Sequence, residues 1–352
     1  MTLADALATV ATPALVFDLA RVEANIRAVA AAARAHGITA LFAAKSFPSP
    51  RVWQLAAAHL DGFDVASAGE AAALPRARVA SIADPTAAAL DADAESLIVS
   101  CETPGHASRA PARAAIAARL SSSITGRDPA LGAIADGSGH RRSRFGVETA
   151  GELAAIARAA GTRRFGLHVH HGPLAATSAQ RFVDTARAAL ALADAAAVSP
   201  TFLDLGGALH ALADLPAAFA ALRAALPPPL ELIVEPGRLY AAGAGFAVAT
   251  VVAARELAAG DARPLRVLDL SRACHLRWSQ PQLVAPAPAP GTGRAIAWVG
   301  PTCYEDDLVG EFVADPARFP VGARVVLANI TGYALAWNHA FAGVPAATVV
   351  ET

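Results

Sequence analysis

A lysine ends an apolar run in Thr39-Ala40-Leu41-Phe42-Ala43-Ala44-Lys45-Ser46-Phe47-Pro48. A short continuous apolar stretch bounded by turn residues predicts a strand of a parallel sheet, covered on both faces. Lysine is rarely buried unless something pairs with it or reacts with it. Burial lowers its pKa and leaves a nucleophilic amine near neutral pH, which suits Schiff-base formation with a carbonyl compound. A strand-end lysine can also snorkel to the surface. The residues that share its neighbourhood decide between the two.

Other chemistry-bearing residues also fall inside or just after apolar runs. Asp64 lies in Phe63-Asp64-Val65-Ala66-Ser67, and three histidines lie in Gly166-Leu167-His168-Val169-His170-His171-Gly172. His168 and His170 share one side of a strand and can share a cation; alternatively, one of them can stack on an aromatic cofactor ring. Phe202-Leu203-Asp204-Leu205-Gly206-Gly207-Ala208 is a strand entering a glycine turn, where backbone N–H groups can approach an anion. In Glu235-Pro236-Gly237-Arg238 the carboxylate can be a base, a metal ligand or the partner of a pyridine nitrogen. Arg238 can clamp a phosphate bidentately or pair with a surface carboxylate. Further along, Gly300-Pro301-Thr302-Cys303-Tyr304-Glu305-Asp306-Asp307 combines a thiol with three carboxylates, and Thr331-Gly332-Tyr333 presents a phenol after a strand.

The elements that must position these groups alternate. Apolar runs at Ala14–Phe17, Ala40–Ala44, Phe63–Ala66, Val79–Ala83, Leu97–Ser100, Phe165–Val169, Phe202–Leu205 and Leu230–Val234 read as strands. Alanine-rich helical stretches, such as Leu19–His36, Glu148–Ala160 and Ala179–Ala195, separate most of them. About eight strand–helix units close a parallel (β/α)8 TIM-like barrel, in which chemistry gathers at the C-terminal strand ends. After residue 238 the texture changes to strands at Phe246–Ala253, Arg266–Leu270, Ala295–Val299 and Arg324–Ile330, with Pro- and Gly-rich turns and no long helices. Residues 284–291 read as a plain loop. The expected architecture is an α/β barrel over residues 12–238, followed by a C-terminal all-β domain over 239–352 that the N-terminal residues can join.

Composition narrows the partners. With 29 Lys and Arg against 30 Asp and Glu, the net charge is −1, which argues against nucleic acid or an anionic membrane and for a small molecule. Cys101, Cys274 and Cys303 have no CxxC spacing, so neither a disulfide framework nor a zinc knuckle is expected, which fits a reducing cytoplasm. Residues 1–10 lack a basic n-region, so no secretory leader is expected. The most membrane-like run, Leu239–Ala254, is short for a bilayer and carries glycines, which predicts soluble core.

Taken in this order, the segments resemble the fold-type III pyridoxal-phosphate (PLP) decarboxylases, the group of ornithine, diaminopimelate and carboxynorspermidine decarboxylases with the alanine racemase-like fold. The resemblance runs from Thr12-Pro13 through Pro345. It implies PLP as cofactor, Lys45 as its Schiff-base lysine and His170 as the histidine stacked on its ring. It also implies phosphate loops at Gly206-Gly207 and Gly237-Arg238, Tyr333 as a further phosphate ligand, Asp64 near the cofactor and Glu235 at the pyridine nitrogen. A carboxylate there favours decarboxylation, whereas the related racemases carry an arginine. Cys303 matches the catalytic cysteine, which in the family reaches in from a second subunit; a homodimer is therefore implied. Tyr304, Glu305, Asp307, Arg272 and His275 are the expected substrate contacts. The segment Leu268-Asp269-Leu270-Ser271-Arg272-Ala273-Cys274-His275 is similar to that of carboxynorspermidine decarboxylases. The implied reaction is decarboxylation of a basic or carboxyalkylated diamino acid. The sequence departs from the pattern at Pro173 (commonly serine), Ala208 (the third glycine) and Tyr304 (an acid in the ornithine and diaminopimelate enzymes). The competing expectations are a metal-dependent barrel hydrolase built on His168, His170, Asp204 and Glu235, and a PLP-binding racemase or non-catalytic PLP carrier.

Overall fold

The computed structural model describes residues 1–84, 86, 91–125, 134–135, 141–171, 179–226, 228–256, 263–287, 293–341 and 343–352. The chain divides into two compact units. One comprises Ile26–Lys45 and Trp53–Leu239, the other Met1–Asn25, Ser46–Val52 and Tyr240–Thr352.

The first unit holds a closed barrel of parallel strands. In chain order, and in the same order around the barrel, these are Ile38–Ala43, Gly62–Val65, Ala77–Ile82, Ala94–Cys101, Ala115–Leu120, Phe165–Val169, Phe202–Asp204 and Glu231–Val234. The last pairs with the first, Val234 opposite Ala40, so no edge remains. The α/β barrel expected from the alternation is therefore present, with two changes of membership. Ala14–Phe17 is not a barrel strand, and Ala115–Leu120 is. Alanine is the best helix former, so Ala115-Ile116-Ala117-Ala118-Arg119-Leu120 carries little strand signal of its own. Tertiary pairing with Ile98–Cys101 on one side and Phe165–Val169 on the other overrides that propensity.

Inside the barrel, Leu41, Val79, Ile98, Ala115, Ala117, Phe202 and Ile233 form one buried apolar cluster. Phe202 fits because the residue paired with it is Gly166, where a Cβ would lie 2.5 Å from the phenyl ring. Gly62 has a similar role: a Cβ there would overlap the carbonyl oxygen of Val79. The helices are capped by the residues that precede them. Thr149 and Glu152 form a reciprocal capping box at Ala150–Ala160, and Asp214 accepts from the N–H of Ala217 at the start of Leu215–Ala225.

The second unit is built on an eight-stranded, mostly antiparallel sheet. Ala14–Phe17 pairs antiparallel with Gly245–Arg255 and parallel with Thr348–Glu351. Leu265–Leu268, Arg294–Val299, Leu308–Ala314 and Arg324–Ala328 complete it, together with Gln282–Ala285, which takes the beginning of the expected 284–291 loop into the sheet. Val16, Val248 and Val326 pack with Ala6 and Ala14 on one face. No helix among the described residues is long and apolar enough to cross a membrane.

Candidate active site

Side chains alternate along a strand, so residues two beyond the floor positions Gly62, Val79, Ile98, Ala117, Gly166, Phe202 and Ile233 also point into the barrel, toward its C-terminal mouth. Those positions are Asp64, Ser81, Ser100, Arg119, His168, Asp204 and Glu235. The strands thus end in a polar ring standing on an apolar floor. Asp64, Ser81, Ser100, His168, Asp204 and Glu235 are all buried.

On one side of the ring, Lys45 forms an ion pair with Asp64. Lys45 lies in the short turn Ala44–Ser46 just past its strand, not in the strand itself. Its side chain is 42% exposed while that of Asp64 is 1% exposed. The amine therefore reaches the mouth from above and meets a buried carboxylate, where deep burial of the lysine was expected. The second carboxylate oxygen of Asp64, Oδ1, is buried without a hydrogen-bond partner.

Across the ring lies a cluster made of Ser100, Arg119, His168, Asp204 and Glu235. Arg119 Nη1 is 2.7 Å from His168 Nε2, and Ser100 Oγ is 3.0 Å from His168 Nδ1. The same Nη1 is 3.1 Å from Nδ1. A guanidinium can only donate; with the shorter contact taken as the hydrogen bond, Nε2 accepts and the ring proton is left on Nδ1, toward Ser100. Burial, followed by the Arg119 charge, holds His168 well below the usual histidine range and keeps it neutral. Asp204 accepts from the N–H of Gly206 at 2.8 Å. Burial pushes its carboxyl up to about 6, and it shares a hydrogen bond with the Glu235 carboxyl. Glu235 is raised well above the ordinary carboxylate range, first by burial and then by the negative charges of Asp204 and Asp64. Two buried carboxyls in one cluster resist carrying two negative charges, which favours the protonated form.

His170 closes the mouth over the glycine turn. A Cβ at Gly206 would lie 3.1 Å from the His170 ring, and Gly206 adopts φ +63. A Cβ at Gly207 would lie 2.6 Å from the carbonyl oxygen of Glu235. Both glycines are therefore required by close approach. Ala208 also has positive φ, +62, which is where the missing third glycine would relieve backbone strain. His170 is exposed as a residue, yet its imidazole is held below the usual range, by burial among its neighbours first and by the Arg119 and His171 charges next. Gly237 and Arg238 follow Glu235 at the same end of the barrel, Arg238 opening the short turn Arg238–Ala241. Its positive charge lowers the pKa of His210, after burial. Gly172 and Pro173 lie outside the described residues.

Arg119 is not among the expected site residues, because Ala115–Leu120 is not among the expected strands. Once Ala115 and Ala117 are placed in the barrel floor, the two-residue period points Arg119 into the mouth. The metal reading changes too. His168, Asp204 and Glu235 offer atoms within 4.8 Å of one another, but His170 is not in that group. Arg119 Nη1 stands 2.7 Å from His168 Nε2, the nitrogen that faces Glu235 at 3.6 Å, and its positive charge among these donors opposes a cation there.

In the second unit, two of the expected substrate contacts are buried scaffold. Both oxygens of Asp307 accept from Ser271 Oγ at 3.0 Å, and Oδ1 accepts from the N–H of Arg272 at 2.7 Å. Thr302 Oγ1 donates to Asp307 Oδ2 at 2.6 Å. His275 accepts from the N–H of Ser271 at 3.0 Å and reaches the Pro345 carbonyl at 2.9 Å. These bonds fasten the Ser271–His275 turn to the loop of Cys303. Cys303 is a free, exposed thiol, and Glu305 is exposed beside it. Tyr304 is 52% exposed and packs on Phe341, ring centroids 5.3 Å apart. Arg272 is half-buried. Tyr333 opens the turn Tyr333–Ala336 and meets Trp278 edge-on at 5.1 Å.

The barrel mouth fits PLP on its own chemistry. It offers an amine to a carbonyl carbon, an acceptor oxygen on Glu235 to a ring nitrogen, and a glycine turn with Arg238 to an anion. Glu235 Oε1, Asp64 Oδ1 and Arg119 Nε are buried polar atoms without a hydrogen-bond partner, the sign of a cradle made for a polar group. No protein-family model matches the chain, and no curated protein sequence matches it. Solved structures do match it. The arginine decarboxylase of Paramecium bursaria Chlorella virus bound to agmatine superposes with a TM-score of 0.77 at 16% identity, covering 97% of this chain and 96% of the other. The lysine/ornithine decarboxylase of Vibrio vulnificus complexed with cadaverine gives 0.76 at 17%, covering 99% and 97%. The lysine decarboxylase of Selenomonas ruminantium gives 0.73 at 21%, covering 100% and 96%. These neighbours are fold-type III PLP decarboxylases, and the chain has their fold.

Proposed function

We propose that this chain is a PLP-dependent amino-acid decarboxylase. The observation that carries the reading is one barrel mouth holding the amine of Lys45, paired with buried Asp64, opposite a buried Glu235 carboxyl with an acceptor oxygen unused. When bound, PLP supplies the electron sink that lets an amino acid lose CO₂ from its α-carbon.

The chain's own residues would do the rest. Lys45 anchors the cofactor covalently, and Asp64 aims its Nζ and balances its charge. Glu235 holds a proton at the ring nitrogen, which a buried carboxyl of raised pKa is suited to share. His170 covers the ring face above the glycine turn and limits water access. Gly207 and Arg238 would hold the phosphate with Tyr333; the N–H of Gly206 is already given to Asp204. Cys303, exposed on its loop, would deliver a proton to the α-carbon from a second copy in a homodimer. Arg272, Tyr304 and Glu305 remain the proposed readers of the substrate side chain, which we assign to basic or carboxyalkylated diamino acids. Asp307 and His275 hold that loop in place.

The test has two arms. Addition of PLP should give a yellow protein from which borohydride fixes the cofactor to Lys45, and Lys45→Ala should lose the adduct. CO₂ release should then appear from a panel of basic and carboxyalkylated amino acids and fall at least 100-fold in Lys45→Ala, the order of a lost covalent catalyst. Protein that stays colourless in excess PLP overturns the proposal.

A further inference from the structure

We propose that His168 is a positioning residue which holds Arg119 beside Glu235 while keeping the guanidinium from bonding to it. The inference rests on the reading above and concerns what keeps Glu235 available to a ring nitrogen.

Among the described residues, the inner face of the mouth contains three buried carboxyls, Asp64, Asp204 and Glu235, and the cations Lys45 and Arg119. The Asp64 carboxylate pairs with Lys45. Glu235 is the acid whose charge acts most on Arg119, followed by Asp204, Asp64 and Glu102. Left to itself, a guanidinium this near a buried carboxylate forms a bidentate pair and consumes both oxygens. The structure shows another arrangement. Arg119 Nη1 spends its hydrogen bond on His168 Nε2 at 2.7 Å, and the imidazole stands 3.6 Å from Glu235 Oε2. Ser100 Oγ, 3.0 Å from Nδ1, accepts from the Nδ1–H of the tautomer in which Nε2 is the acceptor. The strand register places the residues side by side: Arg119 is paired with His168, and His168 with Asp204. Glu235 thus feels a positive charge, yet its Oε1 accepts nothing from Arg119. A serine or alanine at 168 would leave nothing between the guanidinium and the carboxylate.

Two measurements test this. The first compares binding of PLP with binding of its analogue carrying carbon in place of the ring nitrogen, titrated by absorbance into apo protein. His168→Ala should weaken PLP about tenfold, the value of one charge-assisted hydrogen bond, and leave the carbon analogue nearly unchanged. His168→Gln, whose amide oxygen can still accept from Arg119, should recover most of the loss. A merely structural role would weaken both ligands alike, and that result overturns the inference while the cofactor reading stands. Wild-type protein that binds neither ligand sinks both. The second measurement needs no variant. Nitrogen-15 NMR of histidine-labelled apo protein should show His168 neutral, with its proton on Nδ1, from pH 8 down to pH 5, facing Arg119, Glu235, Asp204, His170 and Lys45. An imidazolium forming in that range, or a proton on Nε2, overturns the proposal.

Discussion

At the scale of single residues, the mouth concentrates acids whose protonation is tied to folding. Asp204 has its pKa raised to about 6 by burial, against an ordinary value of 3.8. Between those two values the folded chain keeps a proton that the unfolded chain has lost. Its contribution to stability is therefore full below about pH 4, falls as pH rises, and is gone above about pH 6. Glu235, shifted in the same direction, extends the effect upward. Asp204→Asn keeps an oxygen for the N–H of Gly206 and removes the titration. The variant should be more stable than wild type in the apo form above pH 6, by on the order of 2 kcal/mol, and the gap should close toward pH 4. Thermal melts of both proteins across pH 4–8 check this; a gap that does not change with pH removes Asp204 from the linkage. The strand-end positions of Lys45, Glu235 and His170 were legible in the sequence. The exposure of Lys45 was not, because a strand's apolar pattern does not say where the following turn carries the side chain.

At the scale of elements, the barrel works by matching a large residue on one strand to an absent side chain on the next. Phe202 occupies the space that a Cβ on Gly166 would take, at 2.5 Å from the ring. Gly166→Ala should cost about 1–3 kcal/mol through overpacking. Phe202→Leu alone opens space and is destabilising too, but combined with Gly166→Ala it should cost less than the sum of the two, because each change relieves the other. Denaturant melts of the four proteins give the coupling directly, and strictly additive losses would mean that the two sites do not share this space. The same pairing explains what the sequence could and could not reveal. Strands within runs of bulky apolar residues, such as Phe202–Asp204 and Glu231–Val234, announce themselves. Ala115–Leu120 does not, since its composition is that of the helices around it, and with it went Arg119. Asp307 and His275 were misjudged for a different reason. Polar residues near a reactive loop read as contacts for a ligand, whereas here they satisfy the backbone of the Ser271–His275 turn and the side chain of Thr302.

At the scale of the whole molecule, the chain leaves its first strand in one unit and builds the barrel from residues that follow it. Ala14–Phe17 was legible as a strand from its apolar run, but its partners were not: two-residue periodicity gives the face a residue occupies and says nothing about which sheet receives it. Its neighbours are separated from it by most of the sequence, Val16 standing opposite Phe246 on one side and Val350 on the other. Val16 is fully buried with Val248, Val326 and Ala6. This gives the N-terminal strand a defined energetic territory. Val16→Asp places a carboxylate among apolar neighbours that offer it no partner, and such a change should cost about 3 kcal/mol or more in the second unit. Every strand pair of the barrel lies within residues 38–234, so none is interrupted. Hydrogen exchange on the full-length variant should therefore show protection lost at Gly245–Arg255 and Thr348–Glu351, with the barrel strands from Gly62–Val65 to Phe165–Val169 still protected. Equal loss of protection along both groups of strands would mean that the two units unfold as one, and that the first strand supports the barrel as much as the sheet it belongs to.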